Sequence, residues 1–206
     1  MAKSYMSGLS MKAQRELLDD LNYLNLSEIK SFCKRHSIPF KIVAEAEVGK
    51  IIATKDIDRK GVILDRIRHF LKTGVVPEKT CFPAAVVSFE PLPDELAADD
   101  RLYYGQYDKT NRAMNTLLKS LTNGYFKDGA IARMLAREFW ANGKAPTFAE
   151  YAAAWMQSLA GHTVPNPEWA FLSDRANYRD VQDWKKLRAE KASKALRILN
   201  QLVQAR

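Results

Sequence analysis

Two short amphipathic segments, 25–37 and 58–72, constrain the fold of this chain more than any other feature. Each carries one apolar stripe at helical spacing, which predicts two helices. The stripes consist of Ile29, Phe32, Cys33 and His36 in the first segment and of Ile63, Leu64, Ile67, Phe70 and Leu71 in the second. Helices of this length are marginal alone, so they must pack on each other and on a further apolar surface.

Helix-end signals flank both segments. Asn25 can accept a hydrogen bond from the backbone N–H of Glu28 while Glu28 reaches back to Asn25, which forms a capping box. Asp58 is the predicted N-cap of the second helix, and Gly74 suits the left-handed turn that ends it. A further helix is predicted over 10–23, where it would supply the extra apolar surface. Its inward side chains are Leu17, Leu18, Leu21 and Leu24.

The insert between the two amphipathic segments is predicted to be a small β-hairpin. Residues 40–47 alternate imperfectly between apolar and polar, Val48-Gly49-Lys50 can turn, and 51–54 can return as a second strand. Two roles stay open for it: a cap on the helix pair, or a wing that contacts a partner.

These residues resemble a known module. Leu26-Ser27-Glu28-Ile29-Lys30, Phe32 and Ile38-Pro39 resemble the first half of a SAP domain, and Lys60-Gly61-Val62-Ile63-Leu64-Asp65-Arg66-Ile67 resembles its second half. The SAP domain is a helix–extended loop–helix module of many DNA-binding proteins. The resemblance covers roughly a quarter of the chain. About twenty residues separate Pro39 from Lys60, where the family has a much shorter loop.

The resemblance implies duplex DNA as partner, approached by the start of the second helix and the loop before it. The implied contact residues are Lys30, Lys34, Arg35, Arg59, Lys60, Gly61 and Arg66. They would hold phosphates, with a modest preference for A·T-rich duplex through groove shape. Free N–H groups at the helix start favour a phosphate as well, and Gly61 would let the backbone come close.

Structural alternatives exist for these cations. Arg66 can form an ion pair with Asp65 or Asp58, and Lys30 and Lys34 can be a solvated helix face. Net charge does not distinguish DNA contacts from these structural roles, because a basic surface attracts polyanions in general.

The net charge of +8 is unevenly distributed along the chain. It is +2 over 1–14, +3 over 15–75, −3 over 76–174 and +6 over 175–206. The basic residues of the last segment spread around its helix, which favours a solvated surface over a phosphate-binding stripe.

Four prolines between residues 77 and 93 exclude a long helix there and indicate a domain boundary. Three parts are predicted: a SAP-like domain with its preceding helix and hairpin insert (1–75), a proline-rich linker (76–98) and a helical bundle domain (99–206).

The second half of the chain has only helical periodicity. Helices are predicted to end near Asn123-Gly124 and Asn142-Gly143, a capping box at Thr147 and Glu150 begins another, and 178–204 forms a long last helix. The predicted fold class is mainly α: an N-terminal SAP-like unit with a small β-hairpin insert, plus a C-terminal helical bundle.

No nucleotide-binding, hydrolase or metalloprotease motif is present in the sequence. Cys33-x-x-His36 has metal-like spacing, but the other histidines and Cys81 offer no second pair. The sequence therefore predicts a non-enzymatic protein without metal or other cofactor.

The two cysteines are far apart and are predicted to be reduced. Residues 1–16 lack an apolar stretch of signal-peptide length, and no run could span a bilayer. These features predict a soluble, cytoplasmic protein without a membrane partner.

Three functions are compatible with the sequence. The first is non-enzymatic binding of duplex DNA through phosphates, with little sequence specificity. The second is a protein–protein adaptor or scaffold that uses the hairpin or residues 103–107 and does not bind nucleic acid. The third is a small enzyme with a pocket in the bundle. The sequence leaves open DNA against RNA and the oligomeric state.

Overall fold

The structure, a computed structural model, describes residues 4–160 and 181–204. In these residues helices α1–α7 span Met11–Asp20, Leu26–Arg35, Lys60–Thr73, Arg112–Leu121, Ala130–Ala141, Phe148–Ala160 and Val181–Gln204. Strands β1–β3 span Lys41–Glu47, Lys50–Ile57 and Cys81–Phe82. The predicted mainly helical class is confirmed, with a small three-stranded sheet in addition. The predicted first turn of the last helix, from Tyr178, lies outside the described residues.

The chain divides into two compact units that are not consecutive in sequence. Unit 1 comprises Met1–Phe40, Asp58–Lys79 and Pro165–Arg206, and unit 2 comprises Lys41–Ile57 and Thr80–Val164. This division differs from the predicted ranges 1–75, 76–98 and 99–206. The hairpin groups with the second half of the chain, and the last helix groups with the first.

Unit 1 is built around the two predicted amphipathic helices, α2 and α3. The capping box of α2 is present, since the Glu28 backbone N–H donates to Asn25 Oδ1 at 2.9 Å and the Asn25 N–H donates to Glu28 Oε2 at 2.7 Å. Gly74 ends α3 with a φ of 72°, as predicted. The N-cap of α3 is Arg59, without a side-chain cap bond, so the prediction of Asp58 is wrong by one residue.

The core of unit 1 joins both helices to α1 and α7. Its fully buried side chains include Leu17, Leu21, Leu24, Ile29, Phe32, Ile63, Leu64, Ile67, Leu71, Ala195 and Leu199. The last helix therefore packs in this unit rather than in the predicted bundle. Sequence periodicity shows which face of α7 is apolar, but not which elements cover that face.

Asp58 and Arg66 form a buried ion pair at the start of α3. The Arg66 Nη1 atom lies 2.6 Å from Asp58 Oδ2, and the two side chains are only 9% and 5% exposed. The same guanidinium donates to the carbonyl of Pro39 at 3.0 Å. The pair thus joins α3 to the segment that precedes β1.

Unit 2 contains the sheet, in the strand order β2-β1-β3. The predicted hairpin is present: β1 and β2 are antiparallel and turn at Gly49, whose φ is 81°. Strand β3 pairs with β1 in parallel. The side chains of Ile42 and Ala44 are buried with Phe82 in the core of this unit, so one face of the hairpin packs within unit 2. Its apolar face needed an apolar partner, and the segment after α3 supplies it.

Helices α4–α6 complete unit 2. Asn123 and Gly124 after α4, and Gly143 after α5, have positive φ angles, as their sequence signals predicted. The α6 capping box forms, because the Glu150 N–H donates to Thr147 Oγ1 and the Thr147 N–H donates to a Glu150 carboxylate oxygen. Across the described ranges, every helix is too short or too polar to cross a bilayer.

Replacement of Asp58 by Ala should lower the free energy of unfolding by about 3–5 kcal/mol, because it leaves the Arg66 charge buried without its carboxylate. Chemical denaturation monitored by circular dichroism measures this. The matched control is Asp65→Ala, which removes the 74% exposed partner of Arg68 and should cost less than about 1 kcal/mol. Similar losses for the two variants would contradict the assigned role of the Asp58–Arg66 pair.

Cys33 should be protected from alkylation while Cys81 reacts. Cys33 is completely buried, and burial raises the pKa of its thiol to about 12 although the nearby Arg66 charge opposes this shift. The reactive thiolate is therefore scarce at neutral pH. Iodoacetamide labelling followed by peptide mass spectrometry tests this, with the denatured chain as control. Labelling of both cysteines at one rate in the folded protein would be the contrary result.

Candidate nucleic-acid interface

The basic character of the chain belongs to unit 1. Among the described residues, unit 1 holds seventeen Lys and Arg against nine Asp and Glu, whereas unit 2 holds eleven against twelve. Two segments far apart in sequence, 4–40 and 181–204, contribute to this excess because they fold into the same unit. A polyanion would therefore be attracted to unit 1 far more than to unit 2.

Several cations of unit 1 bind its own carboxylates. Arg188 pairs with Glu28, and Lys194 pairs with Glu16 at 2.9 Å. The Lys191 ammonium lies 4.1 Å from the centroid of the Tyr23 ring. These contacts attach α7 to α1 and α2, so the cations concerned stabilise the unit.

Three of the seven residues implied by the SAP resemblance are engaged or covered within unit 1. Arg66 is buried in its pair with Asp58, and Gly61 is also buried. The Lys60 ammonium donates to the backbone carbonyl of Asn22. These residues fix the start of α3 against its neighbours, which is the structural alternative that the sequence already allowed for Arg66.

The other four lie nearer the surface. Arg59 is exposed at the start of α3, and Lys34 and Arg35 are exposed in the last turn of α2. Lys30, one turn earlier in α2, is half-buried. At the end of a helix, cations also complement the helix dipole, but the exposed Lys34 and Arg35 can meet a further anion.

Helix α7 brings an additional cation beside the end of α2. Arg35 Nη1 donates to Asn200 Oδ1 at 3.2 Å. Together with the Glu28–Arg188 pair, this contact joins side chains of α2 to side chains of α7 at two points. Arg197 is exposed and lies one turn before Asn200 on the same helix face. We call Lys34, Arg35 and Arg197 the α2–α7 basic edge.

Arg197 was not among the predicted site residues. The sequence shows the basic content of the last helix, but it contains no local signal for the helix beside which that residue would lie. Only the grouping of α7 with unit 1 places Arg197 in the same unit as Lys34 and Arg35.

The Cys33-x-x-His36 pattern is explained by packing. His36 lies against Phe32, with ring centroids 4.5 Å apart, and near Phe70. Burial, and then the charge of Arg35, lower the pKa of His36, so its imidazole is neutral at pH 7. Within residues 4–160 and 181–204, no three His, Cys, Asp or Glu side chains form a group suited to a metal ion.

Comparison with known proteins gives no relative for this chain. No family model, no curated protein and no solved structure matches it.

Replacement of Lys194 by Met should raise the pKa of Glu16. Hydrogen bonding and the charge of Lys194 hold that pKa below its ordinary value of 4.5. In the native chain this pair stabilises the fold above pH 4.5, and the contribution is lost as the pH falls through the lowered folded-state pKa. Carboxyl NMR titration measures the shift.

The same titration reports on Asp20. Burial raises the pKa of Asp20, and the Lys194 charge opposes this, so Lys194→Met should raise it further. Lys185→Met on the exposed face of the same helix is the control and should leave both pKa values unchanged. An unchanged Glu16 pKa in Lys194→Met would show that α7 does not hold α1 as described.

Proposed function

We propose that this chain is a non-enzymatic, SAP-like protein that binds duplex DNA through phosphates, with little sequence specificity. The observation that carries the proposal is the α2–α7 basic edge on the unit that holds the net positive charge. The proposal keeps the helix pair of the SAP resemblance and moves the main phosphate contacts from the start of α3 to the end of α2.

Contacts inside unit 1 explain why the end of α2, and not the start of α3, is proposed to bind phosphates. Lys60 and Arg66 already donate to Asn22, Asp58 and Pro39, and a phosphate would have to displace these partners. Lys34 and Arg197 would displace no partner among residues 4–160 and 181–204, and Arg35 would give up only an exposed bond to a neutral amide. Phosphate binding at the α2–α7 basic edge therefore breaks fewer contacts within the protein than binding at the start of α3.

The side chains of the basic edge favour non-specific binding. Phosphate contacts from Lys and Arg position a protein on a duplex and release counterions without reading the bases. The basic edge combines the end of α2 with Arg197 of α7, and its cations are proposed to bind phosphates, which carry no sequence information. Any preference for A·T-rich duplex would come from groove shape.

The adaptor alternative has less support. Residues 103–107 contribute Tyr104 and Tyr107 to the aromatic packing of unit 2. The hairpin tip exposes Val48 at 93% and Ile51 at 48%. Two apolar side chains fall far short of the roughly 800 Å² per partner that a stable interface buries.

The proposal is tested by titrating a labelled short duplex with the full chain at about 50 mM and about 200 mM salt. The triple variant Lys34→Gln, Arg35→Gln and Arg197→Gln should bind at least roughly tenfold more weakly at low salt. Its plot of log affinity against log salt should flatten by about 0.9 for each phosphate that the variant no longer neutralises. Circular dichroism checks that the variant is folded.

A charge-matched control replaces three exposed cations of unit 2, in Lys109→Gln, Arg112→Gln and Lys119→Gln. This control should keep the native affinity and salt dependence. Absence of binding by the native chain at low salt, or equal weakening in both triple variants, would reject the proposed interface. Arg59→Gln alone measures any remaining contribution of the α3 start.

A further inference from the structure

Unit 2 contains a cavity of about 270 Å³ that the proposed function does not use. One wall is a single face of α5, formed by Arg133, Ala136, Arg137 and Trp140 at helical spacing. The rest of the lining comes from Tyr104, Gly105 and Tyr107 in one turn and from Asp56 of β2. All of these residues belong to unit 2.

The aromatic part of this cavity is held in place by several contacts. Trp140 Nε1 donates to the carbonyl of Leu102 at 3.0 Å. The rings of Tyr104 and Tyr107 meet Trp140 edge-on, with centroids at 5.5 Å and 6.2 Å. The Tyr107 hydroxyl donates to Asp128 at 2.7 Å. These contacts fix an aromatic surface before any ligand arrives, which lowers the entropy cost of binding.

Gly105 makes the turn from Tyr104 to Tyr107 possible. Its φ is 98°, and a Cβ at this position would lie 2.3 Å from the carbonyl oxygen of Ser88. Only glycine combines this conformation with such a close approach. The turn that carries Tyr104 and Tyr107 into the cavity lining therefore depends on this glycine.

The cavity lining carries more positive than negative charge. Arg137 pairs with one oxygen of Asp56, and the other oxygen accepts from the Tyr104 hydroxyl at 3.0 Å. Both oxygens of this carboxylate are thus engaged. Arg133, one turn before Arg137, is exposed and its guanidinium makes no hydrogen bond or ion pair with any residue that the structure describes. The cavity lining has two guanidinium groups and one carboxylate.

We propose that this cavity binds a small molecule that carries a phosphate monoester beside a single planar ring, as pyrimidine nucleoside monophosphates and aryl phosphates do. The ring lies against Tyr104 and Tyr107, which are half-buried and are held by Trp140 beneath them, and the phosphate takes hydrogen bonds from Arg133 and from the remaining N–H groups of Arg137. The three acceptor oxygens of a phosphate match two guanidinium groups.

Charge and size select this ligand class. Arg133 and Arg137 outweigh Asp56, so the lining keeps a net positive charge, and a phosphate dianion gains more from that charge than a singly charged carboxylate does. The volume lies just below the range of about 300–1,000 Å³ typical of small-molecule sites. That volume favours one ring with one anionic group over a dinucleotide or a larger cofactor.

Isothermal titration calorimetry with the full chain tests the proposal, using uridine 5′-monophosphate, phenyl phosphate, uridine and inorganic phosphate as probes. One or both of the ring-bearing phosphates should bind at concentrations below about 1 mM, and more tightly than uridine or inorganic phosphate. Tighter binding of the nucleotide than of phenyl phosphate would assign the ring to a nucleobase, and the reverse order to an aryl group.

Arg133→Gln should weaken binding of the tighter probe by roughly tenfold or more, because it removes a charge-assisted hydrogen bond. The matched control is Arg112→Gln, an exposed arginine of the same unit that does not line the cavity; it should not change the affinity. The proposal is overturned if neither ring-bearing phosphate binds, if inorganic phosphate binds equally well, or if Arg133→Gln leaves the affinity unchanged.

Discussion

The buried pair of Asp58 and Arg66 is the interaction on which the organisation of the chain depends. Arg66 binds both Asp58 and the carbonyl of Pro39, and the Asp58 backbone N–H donates to the carbonyl of Phe40 at 3.0 Å. These bonds hold together the two points at which the chain leaves and re-enters unit 1. Residues 41–57 can therefore form the β1–β2 hairpin of another unit without opening the helix pair, since an insertion is tolerated where its ends lie close together.

This constraint also decides which cations are available for binding. Arg66 is buried, and its guanidinium bonds to Asp58 and Pro39 at the two ends of the hairpin insertion. It is therefore not available to a ligand. Lys60, beside it, holds the start of α3 to Asn22. Exposed cations remain on the end of α2 and on α7, so the surface that can attract a polyanion is assembled from elements distant in sequence.

Local signals in the sequence were sufficient for most helix and turn boundaries. The capping box at Asn25 and the glycine turns at Gly49 and Gly74 depend on neighbouring residues alone, and the structure has all three. The partners of the apolar faces of the hairpin and of α7 depend on distant residues, and both were assigned to the wrong part of the chain. The cavity beside α5 was missed for the same reason, because nothing near Arg133 in the sequence predicts that Tyr104 lines the same cavity.

Asp56 and Asp58 each form an ion pair with an arginine, and the two pairs differ in burial and therefore in how easily they rearrange. Asp56 pairs with Arg137 in unit 2, where the side chains are 26% and 34% exposed, whereas the Asp58–Arg66 side chains are 5% and 9% exposed. Water compensates a partly exposed pair when it rearranges, so the cost is small, but separating a buried pair leaves a desolvated charge. Arg137 can therefore adjust toward a ligand at small cost while it stays near Asp56, whereas separating Arg66 from Asp58 would leave a charge buried without its partner.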